Sequence, residues 1–179
     1  MNTIQRRNLA VVDMVSYLSA GSAVMVQPGT EGEIASIDDL CGLTLAVQTG
    51  TVQALEVLPS FEQHCSDQSL PAIDPLVVPQ QDSANQAVAS GRADAMIADN
   101  ALVAYYAQVQ PDAYAAVPGI LVDPAPLAVV VPKGDASLAP AFQAALQSLI
   151  DDGTYAEILD AWSLADAAID SAEINPELG

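Results

Sequence analysis

Three times between residues 43 and 109 the sequence passes from a short apolar run into a segment of helical period. The runs are 43–48, 75–79 and 94–98, and the segments are about 51–64, 83–90 and 100–109. This alternation constrains the chain more than any other feature. It implies a parallel sheet with right-handed crossovers and helices on its faces, an α/β fold. In open sheets of this class ligands gather beyond the carboxyl ends of the strands. Three polar turns, Gln48 to Thr51, Gln80 to Ser83 and Asp99-Asn100, are therefore expected along one sheet edge.

The flanks are less regular. Residues 11–17 and 22–27 read as two short strands separated by a Ser/Ala/Gly turn, and Ser36 with Asp39 three residues on reads as the start of a short helix. A loop containing Pro111, Pro118, Pro124 and Pro126 leads to a strand over 127–132. A helix over about 137–151 follows, with Leu138, Phe142, Leu146, Leu149 and Ile150 on one face. Gly153 stops it and Thr154 begins a shorter one. The acidic stretch 171–179 is expected to be loosely held. The 179 residues suffice for one domain or two small lobes, and abundant alanine with few aromatics suits helices packed closely on a sheet.

Charge excludes several functions. Four Lys plus Arg against 23 Asp plus Glu give a net charge of −19, which repels phosphate backbones and anionic membranes, so no nucleic-acid partner is expected. No apolar run approaches the ~20 residues of a membrane span, so no direct insertion is expected either. Arg6-Arg7 and the stretch after them have the outline of an export signal, but Asp13 interrupts its apolar core. The segment reads as mature protein, and the chain as carrying no signal peptide of its own. Cys41 and Cys65 form no CxxC pair, and His64 beside Cys65 does not complete a metal site; neither metal nor another cofactor is implied. The two cysteines are either a disulfide closing a loop of about 25 residues or two separate buried thiols.

A helix that starts directly after Gly50 points unpaired N–H groups and its positive dipole end into the space above the sheet, which favours a carboxylate or phosphate. Gly50 permits close backbone approach, and the Thr49 and Thr51 hydroxyls can donate or accept. Asp99, ending the third strand, could pair with a cation or merely cap the next helix. An anion-binding helix start beside a lone carboxylate complements a zwitterion.

The blocks "SIDDLCGLTLAVQTGTVQ", "ASGRADAMIADNALVAYYA", "PLAVVVPKGD" and "LIDDGTYAEILDAW", in order from about residue 3 to 165, resemble the extracellular solute-binding proteins of ABC importers, family 3, the polar amino acid-binding type. The resemblance implies a periplasmic-binding-protein-like type II fold whose two lobes close by a hinge on a polar amino acid, which an ABC permease then takes up. Residues 38–122 would be a complete second lobe, and 1–37 with 123–170 a partial first lobe. Thr3 and Arg6 match a threonine and the arginine that forks onto the ligand's α-carboxylate, with Arg7 as a rival. Gln48, Thr51 and the N–H of Val52 match second-lobe contacts, although many relatives carry threonine where Val52 stands. Asp99 matches the acid that pairs with the ligand's ammonium, and Cys41 and Cys65 match a bridge found in some members. The resemblance implies an extracytoplasmic, non-enzymatic protein with no catalytic residue. The signal or lipoprotein segment and the initial βαβα unit of the family have no counterpart here, so an N-terminally truncated chain is expected. Three other readings stand beside this one: a truncated form that binds nothing, a dehydratase of a cyclic amino-acid precursor, and a sensory ligand-binding module.

Overall fold

A computed structural model describes residues 11–176. Strands β1 (Val12–Val26), β2 (Thr44–Gln48), β3 (Asp74–Val78), β4 (Ala95–Asp99) and β5 (Ala115–Pro132) form one sheet in the order β3-β2-β4-β1-β5. The β2–β3 and β2–β4 pairs are parallel, with Gln48 opposite Val78 and Ala46 opposite Met96. The sheet is mixed rather than all parallel, because β1 lies antiparallel to β4, from Ser22 opposite Asp99 to Val26 opposite Ala95.

The chain divides into two compact units, Gly21–Asp123 and the remainder, residues up to Ala20 with those from Pro124. Residues 21–37 thus pack with the strands that the sequence reading began at residue 38. In the Gly21–Asp123 unit helices cover both sheet faces, and the strand side chains alternate between them. Val24, Val26, Leu45, Val47 and Ile97 pack with Val57, Phe61 and Cys65 of the helical run that ends in α1 (Leu58–Asp67). Met25, Ala46, Met96 and Ala98 pack on the other face with Ala84, Ala87 and Val88 of α2 (Gln81–Ala89) and Val103 of α3 (Asn100–Val109). Alanines on both sides of this second interface let the helices approach closely.

In the other unit α4 (Leu138–Asp151) and α5 (Thr154–Ala161) accompany the first part of β1 and the last part of β5. Leu18, Leu127 and Leu159 share a small core, next to which the Tyr155 hydroxyl donates to the Tyr17 carbonyl at 3.0 Å and accepts from Ile169 N–H at 3.1 Å. The stretch from residue 171 is bound rather than loose as far as it is described. Ser16 N–H donates to the Glu173 carbonyl (2.9 Å) and Asn175 N–H to the Met14 carbonyl (2.7 Å). These bonds occupy backbone groups of β1 that would otherwise form an open edge. Asp13 gathers Lys133 Nζ at 2.7 Å, Asn175 Nδ2 at 2.8 Å and Gly134 N–H at 2.8 Å. With Lys133 contributing most, these donors lower its carboxyl from the ordinary 3.8 to about 2.

Two sequence expectations fail, each for a reason that lies in the tertiary structure. The Ser/Ala/Gly segment at 19–21 is not a turn, and the proline-rich stretch around Pro118, Pro124 and Pro126 is not a loop; both lie within long strands. β5 is the outermost strand, so its prolines can turn their missing donors away from the ladder. Gly21 allows close approach: a Cβ there would lie 2.7 Å from the Val122 carbonyl oxygen and 2.9 Å from Leu121 Cδ1. Gly21→Ala is therefore expected to destabilise the Gly21–Asp123 unit by about 1–3 kcal/mol through overpacking. Urea denaturation measures it, and an unchanged midpoint would remove the close-packing argument.

Candidate ligand-binding site

The carboxyl ends of β2, β3 and β4 share one edge of the sheet, since the three strands are parallel and in near register. At that edge Thr49 ties its turn to β3: its N–H and its hydroxyl both donate to the Val78 carbonyl, at 2.8 and 3.1 Å. Gly50 follows at φ +77°, with nothing within 4 Å of where a Cβ would stand. Glycine meets this left-handed conformation without strain. The Thr51 hydroxyl donates to the Gln48 carbonyl at 2.7 Å and accepts from Ala54 N–H at 3.3 Å. Both threonines thus place their hydroxyl proton on a backbone carbonyl. Their hydroxyls hold the turn, and the donors that the helix start offers outward are main-chain N–H groups. Val52 projects into solvent, half exposed.

The helical run does not begin as a regular α-helix. A π-type turn covers Gln53–Val57 before α1. Pro59 supplies the physical reason, because an α-helix here would need its missing N–H for the Leu55 carbonyl and its ring would press on that group. Widening the turn ahead of it relieves both demands. Gln53, Val57, Phe61 and Cys65, four residues apart in turn, are all buried, so a polar side chain heads an otherwise apolar stripe.

That side chain reaches the acid. Gln53 Nε2 donates to Asp99 Oδ1 at 2.9 Å and to Ser22 Oγ at 3.0 Å. Gln53 is 7% exposed and Ser22 3%, while Asp99 is half-buried. Asp99 takes the N-cap position of α3 by its backbone, but its side chain makes no capping hydrogen bond. The carboxylate is committed to Gln53 instead. Beside it, Asn100 Oδ1 is buried and has no hydrogen-bond partner among the described residues.

The structure thus brings Gln48, Thr49, Gly50, Thr51, Val52 and Asp99 to one edge. In the turn Gln80 to Ser83 the Gln81 side chain points inward: its Nε2 donates to Asn85 Oδ1 at 3.0 Å and approaches Met96 Sδ at 3.7 Å. Thr3, Arg6 and Arg7 lie outside the described residues. Sequence reasoning missed Gln53 and Ser22. A signal for Gln53 was present, as a glutamine at the head of an i, i+4, i+8 apolar stripe.

Cys41 and Cys65 form a disulfide with Cα atoms 5.7 Å apart, which decides between a bridge and separate thiols. It joins the 3-10 turn Ile37–Leu40 to α1, and Asp38 Oδ1 with His64 Nε2, 2.6 Å apart, adds a second link between the same elements. At the opposite sheet edge a cleft of about 320 Å³ is lined by Gln27, Glu33, Asp39 and Asp94 among others. Two of its acids are already engaged. Ala35 and Ser36 N–H hold the Asp39 carboxyl below its ordinary value, and Thr44 N–H bonds Asp94 at 2.7 Å. No group of three or more His, Cys, Asp or Glu among the described residues could hold a metal ion, and no described helix is long and apolar enough to cross a membrane.

Comparison with known proteins places this geometry in a family. The sequence profile of bacterial extracellular solute-binding proteins, family 3, matches residues 1–165. The arginine-binding protein ArgT of Corynebacterium glutamicum is 32% identical over 165 residues, covering 92% of this chain and 53% of that protein. The chain therefore spans about half the length of this curated relative. An ancestral cationic amino acid solute-binding protein superposes with a TM-score of 0.71 at 28% identity, over 90% of this chain and 66% of that one. An ancestral arginine-binding protein bound to arginine gives 0.59 at 28% identity, over 89% and 68%. The architecture is the α/β class of the periplasmic-binding-protein-like type II fold. With a profile match over residues 1–165 and a relative 32% identical across 92% of its length, this chain belongs to the bacterial extracellular solute-binding proteins, family 3.

Proposed function

We infer that this chain binds a polar, cationic amino acid, with L-arginine as the reference ligand, as the solute-binding component of an ABC importer. One observation carries the reading: Asp99, held by Gln53 and unused as a helix cap, stands on the same sheet edge as the helix start after Gly50. A carboxylate and a set of main-chain N–H groups on one edge complement the ammonium and carboxylate of an amino acid. Gln48, Gly50 and the N–H groups of Thr51 and Val52 are assigned to the ligand's polar head, and Arg6 to its α-carboxylate. Hinge closure of the family type would then sequester the ligand for a permease. A cationic side chain is favoured by the names of the relatives and by the net charge of −19, whose field concentrates cations near the surface. The protein acts by binding and release, with no covalent step.

Calorimetric titration of the chain with L-arginine, L-glutamate and L-leucine tests this. L-arginine is expected to bind with a Kd on the order of micromolar, about 8 kcal/mol, and the other two at least about a hundredfold more weakly. Equal affinities for all three, or no heat with any, would overturn the assignment.

A further inference from the structure

Resting on that assignment of Asp99, the geometry points to Gln53 as a positioning residue: its amide presets the carboxylate that receives the ligand's ammonium. Nε2 carries two hydrogens and both are engaged, one by Asp99 Oδ1 at 2.9 Å and one by Ser22 Oγ at 3.0 Å. The three residues come from three elements, the π-type turn, β4 and β1, and Ser22 faces Asp99 directly across the β1–β4 ladder. Rotation of the buried amide would break both bonds at once, so the Asp99 side chain is held in one orientation. Oδ1 is occupied from within the protein, and Oδ2, without a hydrogen-bond partner among the described residues, is left for the ligand.

An amide suits this task for an electrostatic reason. A lysine or arginine at position 53 would hold Asp99 equally well but would neutralise it, competing with the incoming ammonium. A glutamate would repel it. Glutamine supplies a directed donor and leaves the negative charge for the ligand. The π-type turn completes the device, since it sets Gln53 at the head of the buried stripe that continues through Val57 and Phe61. Fixing the carboxylate before binding removes the ordering penalty from the association step.

The test has two arms on the full chain, using Gln53→Met, which keeps the side-chain length without a donor, and Ser22→Ala, which removes one anchor of the amide and leaves Asp99 in place. In the first arm three-bond couplings report the Asp99 χ1 angle without ligand. A single rotamer is expected in the parent protein, averaging in Gln53→Met and partial averaging in Ser22→Ala; a single rotamer in both variants overturns the proposal. The second arm compares L-arginine with its desamino analogue, the guanidino acid of the same chain length. Gln53→Met is expected to lower the affinity ratio about tenfold and Ser22→Ala about threefold, with desamino binding changed less than about twofold. An unchanged ratio in a parent protein that discriminates the two ligands also overturns it, because a merely structural role would weaken both ligands alike. If the parent protein does not discriminate while the Asp99 rotamer still averages in Gln53→Met, positioning stands and the ammonium assignment of Asp99 falls.

Discussion

Asp99→Ala is expected to weaken L-arginine binding at least tenfold, a loss of about 1.4 kcal/mol or more. A hydrogen bond between charged groups contributes about 1.5–3 kcal/mol, which sets the upper part of the range near a hundredfold. Alanine has a second effect, because it leaves one Nε2 hydrogen of the buried Gln53 without an acceptor. An unsatisfied buried donor costs about 1–3 kcal/mol, so thermal stability should fall as well. Asp99→Asn separates the two consequences: its carbonyl oxygen can still accept from Gln53, but it carries no charge for the ammonium. The asparagine variant should melt close to the parent protein and lose nearly as much affinity as the alanine variant. Unchanged calorimetric affinity in both would refute ammonium recognition by Asp99.

The other large effect is on stability. Reducing the Cys41–Cys65 disulfide is expected to cost about 3 kcal/mol, since the bridge spans a sequence separation of 24 and limits the unfolded chain accordingly. In a unit the size of Gly21–Asp123 this corresponds to a fall in melting temperature of roughly 10–20 °C. Reduction is a cleaner probe than mutation here, because Cys65 is fully buried beside Val57 and Phe61 and truncating it would open a void. Scanning calorimetry with and without dithiothreitol measures the shift, and a change below about 2 °C would show that the bridge does not stabilise the fold. Disulfides of this kind persist in oxidising compartments, in agreement with the extracellular location in the family's description.

The α/β alternation was legible almost residue by residue. Strands expected at 43–48, 75–79 and 94–98 are found at Thr44–Gln48, Asp74–Val78 and Ala95–Asp99, and the helix expected at 100–109 is Asn100–Val109. β2 and β4 are buried on both faces, so each is a continuous apolar run that reads locally, while β3, at the end of the sheet, is largely exposed and reads from its apolar residues Leu76 to Val78. The long strands were not legible. Gly21 and the prolines of β5 carry turn chemistry in isolation, and only a close neighbour in one case and an outermost place in the sheet in the other make them strand residues. Residues 171–176 show the same dependence, since their polarity suggests a free tail while the backbone bonds of Glu173 and Asn175 to β1 hold them.

The candidate site divides in the same way. Local sequence determined that a strand ends at Gln48, that Gly50 turns the chain, that a helix starts beside it, and that an acid ends the strand at Asp99, because strand ends, turns and helix starts depend on residues a few positions apart. Only tertiary structure decided what these groups do. Thr49 and Thr51 spend their hydroxyl protons on the turn, and Asp99 gives up its capping role to a glutamine 46 residues earlier in the chain. The physical reason is that hydrogen-bond partners are chosen by distance in space: a buried donor takes the nearest acceptor that the packed sheet presents, and no local pattern encodes which strand supplies it.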